Sequence, residues 1–199
     1  MSIASPKTSS PSVGAPPHYC TPPRTPRLSP RQPNNQPQPM APSRETLLSA
    51  ALCLCTDFAC PSTTTAVLLA HFTTSVPPTA IEHGHPSLAP FIGRLFTGRD
   101  EVARYFDLLT ELLTFGKMRF SEYIVDVDTL KVTCKGCARF TWKETGQSWD
   151  EVFTYTLDFM EEGFLDEGPG GPREVKVRRY QVWADTGAAY LASRGELMG

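Results

Sequence analysis

Between residues 130 and 159 the chain alternates with a period of two, "LKVTCKGCARFTWKETGQSWDEVFTYTLDF", and few folds accommodate such a pattern twice in succession. In the first half Leu130, Val132, Cys134, Gly136, Ala138, Phe140 and Trp142 share one side. Lys131, Thr133, Lys135, Cys137, Arg139, Thr141 and Lys143 share the other. In the second half Trp149, Glu151, Phe153, Tyr155, Leu157 and Phe159 stand against Asp150, Val152, Thr154, Thr156 and Asp158. Each half reads as a strand with one face in a core and one in water. A two-residue turn at Thr145-Gly146 pairs Trp142 with Trp149, Phe140 with Glu151, Ala138 with Phe153 and Gly136 with Tyr155, and every apolar row meets an apolar row.

The same period predicts strands over 117–128 and 174–184 beside those at 130–143 and 148–159. A turn at Asp128-Thr129 sets Val127 against Leu130 and Val125 against Val132. A Gly-rich loop over 160–173 leaves the last register open. Upstream the period is helical. Leu47, Leu48, Ala51, Cys55 and Phe58 lie on one face after Ser43. Pro61 suits the first turn of a second short helix carrying Val67, Leu68 and Phe72. Thr97-Gly-Arg-Asp100 has capping-box spacing before a third helix with Val102, Tyr105, Phe106, Leu109, Leu112 and Leu113. Residues 75–97 are rich in Pro and Gly, with Thr79–His83 as a short strand. The expectation is an α+β fold, a curved antiparallel sheet whose concave face three helices cover.

Residues 1–43 differ in kind. They hold twelve of the 19 prolines, no acidic residue and five Ser/Thr-Pro pairs. Such a segment buries too little apolar surface to offset its ordering entropy, so it reads as a disordered tail before a domain over 44–199. Pro22-Pro-Arg-Thr-Pro26 suits a phosphorylated or SH3-type docking tail, but Pro-rich composition alone is weak evidence for one, and a plain solvated extension with no specific partner is the preferred reading. The net charge of -2 argues against a nucleic-acid binder. No apolar run spans a membrane, and the N-terminus lacks a signal-peptide core. A cytoplasmic or nuclear protein with reduced thiols is expected.

Four features together resemble the fungal branch of the SnoaL-like, nuclear transport factor 2-like superfamily: the order of the helices, Phe91-Ile-Gly-Arg-Leu-Phe-Thr-Gly98, "RFTWKETGQSWDEVFTY" and "VWADTGAAYL". The likeness covers roughly residues 44 to 197. It implies a cone-shaped sheet wrapped round three N-terminal helices, with a cavity at one end. Family members include isomerases, dehydratases, cyclases and epoxide hydrolases acting on hydrophobic substrates, and others only bind or transport. Family members also often pair through the outer sheet face. Here Val152, Tyr180 and Val182 would supply a patch for a weak homodimer, against which Lys131, Lys135, Arg139 and Asp158 argue.

Glu151 is the one carboxylate in an aromatic inward row, where proton affinity rises. It fits a general acid or base, or a structural anchor paired with an arginine. Trp142, Trp149, Phe140, Phe153, Tyr155 and Trp183 are expected as pocket walls. Asp185 precedes "TGAAYLA" and reads either as a helix N-cap or as a rim residue of the site. The implied cone would place His83 on the cavity as a second proton carrier, though solvent exposure is ordinary for a loop histidine. His71, His83 and His85 lack a zinc spacing. Cys134-Lys-Gly-Cys137 lies mid-strand, where residues three apart face opposite ways, so no metal is expected. No phosphate loop, dinucleotide fingerprint or Ser-His-Asp order is present, so no cofactor is expected. Two functions remain: a lyase or isomerase acting on an apolar small molecule, or a non-catalytic module binding a ligand or protein. A cavity of a few hundred Å³ reaching Glu151 favours the first, and a filled cone with Glu151 salt-bridged favours the second.

Overall fold

The computed structural model describes residues 41–163 and 173–198. Almost all of the Pro-rich tail lies outside the described residues. Ser43 caps α1 (Arg44–Ala59), its hydroxyl accepting from the Thr46 amide, and Leu47, Ala51, Leu54, Cys55 and Phe58 are buried. Helix α2 (Thr65–Ala70) starts later than Pro61 suggests, because Thr64 supplies the cap and Pro61 falls in the preceding turn. Leu68 and Phe72 turn inward while Val67 is exposed. Helix α3 (Arg99–Leu112) has Gly98 at its N-cap with no side-chain bond, so the capping box does not form. Asp100 and Glu101 in the first turn oppose the helix dipole instead.

Six strands form one sheet: β1 (Thr79–His83), β2 (Phe96–Thr97), β3 (Leu113–Asp126), β4 (Lys131–Trp142), β5 (Ser148–Gly163) and β6 (Arg173–Trp183), in the order β2-β1-β6-β5-β4-β3. The sheet is mixed rather than wholly antiparallel, because β1 runs parallel to β6. Strand β3 carries two bulges, with Lys117 at φ 56° and Glu122 at φ 55°. Bulges increase local twist and bend the strand, which curls the sheet about the helices. A fourth helix, α4 (Thr186–Ser193), follows β6.

The turn between β3 and β4 sets Val125 opposite Val132 as the pattern predicts. The β4–β5 register departs from the prediction by two residues. Phe140 faces Trp149, Ala138 faces Glu151, Gly136 faces Phe153 and Cys134 faces Tyr155. The connection is a four-residue loop, Lys143 to Gly146, closed by Trp142 N–H to Gln147 O at 2.9 Å, with Gly146 at φ 71°. A slip of two preserves which side chains face inward, so the core row survives the correction.

Candidate functional site

Two glutamates are buried at one end of the core, each only 7% exposed. Glu151 is carried by β5 beyond the last residue that pairs with β6, where Thr154 meets Trp183. The chain there leaves the sheet for α4, and the Asp185 amide donates to Glu151 Oε1 at 2.9 Å. The Trp149 indole donates from Nε1 to Oε2 at 2.5 Å. Ala138 lies directly opposite on β4. The partners of Glu151 are thus an indole and a backbone amide, not the arginine of an ion-pair anchor. Burial pushes its carboxyl above the usual range, the two donors pull it back, and the Asp185 charge adds a smaller upward push.

The second is Glu82, on β1. Its row runs from Glu82 through Val182 on β6 to Tyr155 on β5. Tyr105, on α3, donates from its hydroxyl to Glu82 Oε2 at 3.2 Å. Burial and the neighbouring Glu151 charge push Glu82 up to about 8, against the Tyr105 hydrogen bond. Both carboxyls therefore hold their protons more tightly than free ones, and the charge of Glu151, when it is ionised, opposes the ionisation of Glu82.

Both glutamates line a cavity of about 40 Å³, with Tyr105, Phe140, Trp149, Phe153 and Tyr155 among its walls. Asp185 stands at its rim, where its carboxylate caps α4 by accepting from the Gly187 and Ala188 amides at 3.1 Å. Three expected residues are elsewhere. His83 points to the opposite face of β1 from Glu82, stacks on Trp183 at 4.3 Å and bonds Gln181. Trp183 is 44% exposed on that outer face and lines no cavity wall. Trp142 is buried against Phe91, its Nε1 without a partner, and does not reach the carboxyls. Tyr180 and Val182 are also inward, so of the expected outer patch only Val152 is exposed. Cys134 is buried beside Cys55, Sγ to Sγ 3.8 Å, and Cys137 takes the other face.

Glu82 escaped the sequence reading. In "TAIEH" the alternation separates Ala80 and Glu82 from Thr79, Ile81 and His83, and Ile81 argues for the wrong face. The available signal was that Ala80 and Glu82 share a side, which required knowing that β1 lies inside the sheet rather than at an edge.

No family model matches the chain, and no curated protein matches its sequence. Solved structures do. A pinacolase, BvnE, from Penicillium brevicompactum superposes with a TM-score of 0.53 at 18% identity over 77% of this chain and 94% of that one. A nuclear transport factor 2-like protein from Burkholderia xenovorans LB400 gives 0.56 at 16% identity over 76% and 98%. A candidate SnoaL-like polyketide cyclase from Jannaschia sp. CCS1 gives 0.56 at 13% over 81% and 99%. The fold is nuclear transport factor 2-like. At these identities the likeness extends to the fold and no further. In this nuclear transport factor 2-like cone the paired carboxyls lie at the end where β6 gives way to α4. No helix among the described residues is long and apolar enough to cross a membrane.

Proposed function

We propose that this protein is an acid–base enzyme, an isomerase or lyase, that moves a proton on an uncharged apolar metabolite held between Glu151 and Glu82. The observation that carries this reading is the pair of buried carboxyls on one cavity, where the charge of Glu151 helps to push Glu82 up to about 8. Pairs of titratable groups with different proton affinities are how one site supplies both an acid and a base. Glu151, ionised and held by Trp149 and the Asp185 amide, takes a proton from the carbon beside a carbonyl. Glu82, still protonated, donates its hydrogen to the carbonyl oxygen. If the substrate carries a β,γ double bond, Glu151 returns its proton to the γ carbon of the dienol while the hydroxyl proton goes back to Glu82, giving the conjugated isomer; if it carries a β-hydroxyl, Glu151 protonates that group, which leaves as water as the enol proton goes back to Glu82. That a pinacolase and a candidate cyclase share the fold agrees with this chemistry without fixing it.

The small volume beside Glu151, about 40 Å³, favours a second reading in which the cone is a non-catalytic module that performs no reaction. Exchange of α-protons for deuterium on decanone, followed by proton NMR, separates the two. The expected result is exchange above the buffer rate, abolished in Glu151→Gln and lowered about 100-fold or more in Glu82→Gln. The rate falls at low pH as Glu151 gains a proton and falls again above pH about 8 as Glu82 loses one. Exchange no faster than buffer, or unchanged in Glu151→Gln, rejects the catalytic reading.

A further inference from the structure

The space beside the carboxyls admits little more than one small functional group, being about 40 Å³. A second cavity of about 240 Å³ lies behind a wall one side chain thick, since Phe58, Leu109, Leu113 and Phe140 line both. It is bounded by the end of α1, the C-terminal half of α3 and the start of β3. The Phe140 ring stands between the two. It packs on Trp149 at 5.7 Å and Phe153 at 6.0 Å on the carboxyl side, and on Phe115, which lines only the second chamber, at 6.3 Å.

The two charges at the rim of this chamber already have partners. Asp57 Oδ2 meets His71 Nε2 at 2.6 Å, and Lys143 donates from Nζ to the Thr110 carbonyl. The rest of the lining is mainly apolar, with Cys60, Thr63, Thr110 and Thr114 as its other polar residues. Taken singly neither cavity is the size of a ligand pocket, whereas together they approach the roughly 300 Å³ at which such pockets begin.

We propose that the two cavities form one binding site divided by the Phe140 ring. The second chamber holds the apolar tail of a molecule whose oxygen function sits between Glu82 and Glu151. The ligand class is an uncharged ketone or alcohol with an unbranched or single-ring hydrocarbon tail. An anionic head is disfavoured because it would lie against two carboxyls, and a cationic tail meets at the rim only Asp57, already bonded to His71. The head position rests on the acid–base reading above, and the tail chamber does not.

Calorimetric titration with methyl ketones from pentanone to decanone tests both parts. In the wild-type protein Kd falls about fourfold for each added methylene until the chamber is full, the value for moving one methylene out of water. Thr63 is half-buried, lies in the loop before α2 and lines only the second chamber. Thr63→Trp places an indole in that space and removes the gain with length, while Thr63→Val keeps it. Glu82→Gln and Glu151→Gln weaken every ketone by a common factor and leave the gain per methylene intact. If those two variants change no affinity while the gain persists, the tail chamber stands and the acid–base reading falls. Affinities independent of length in the wild type, a full gain retained in Thr63→Trp, or no binding by any member of the series overturns the tail chamber.

Discussion

Glu151 is held by neutral donors, and that decides how its neighbours act on it. Trp149 Nε1 at 2.5 Å is the nearer of the two. Trp149→Phe keeps a ring stacked on Phe140 but removes the donor, leaving the carboxylate with the Asp185 amide alone. A hydrogen bond to a buried ion contributes about 2 kcal/mol, so the variant should lose roughly that much stability at pH 8. The rising limb of its deuterium-exchange profile should also move to higher pH, because the ionised form has lost a donor. Urea unfolding checks the first effect and the exchange rate across pH the second. An unmoved limb would show that the indole only packs.

At the level of elements, β4 and β5 show how much the sequence could say. Alternation identified both strands and the inward row, because a core on one side punishes any odd slip. It could not choose between registers two apart, since both bring apolar rows together. The choice lies in the loop Lys143 to Gly146 and in the fit of side chains across the pair. Gly136 settles that fit, because a Cβ there would fall inside the Phe153 ring, which fills the space over the glycine. Gly136→Ala should therefore cost about 1–3 kcal/mol, the range for overpacking a core. Phe153→Leu in the same background should recover part of it, and thermal unfolding of the two variants checks both. The candidate site was half legible for a related reason. Glu151 stood out in a long aromatic row, whereas Glu82 sat in a five-residue strand whose faces only the parallel pairing with β6 assigns.

At the scale of the whole described fold, Glu82 links stability to pH. Its carboxyl is held at about 8 in the folded state against an ordinary value of 4.5. A group raised on folding keeps its proton longer in the native state. Its favourable contribution is full below pH about 4.5 and is lost as pH rises to about 8, by about 1.4 kcal/mol for each unit crossed. Glu151 adds a change of the same sign. Stability should fall across this window in the wild type, and Glu82→Gln should flatten most of the fall. The Gln variant should then be the more stable protein at pH 9. Urea denaturation at pH 5, 7 and 9 checks this, and parallel curves for the two proteins would show that Glu82 is not buried as a neutral acid.

The parallel joint between β1 and β6 also has a consequence in time. On the ribosome β1 emerges early, but its long neighbour in the sheet is the last strand to be made. At ordinary elongation rates the interval is on the order of ten seconds. Throughout it β1 is a strand without its main partner, which is the condition that invites wrong pairing. The nascent chain therefore has its greatest need of a chaperone before β6 is released, and the acid of the candidate site takes its place only once β6 is made.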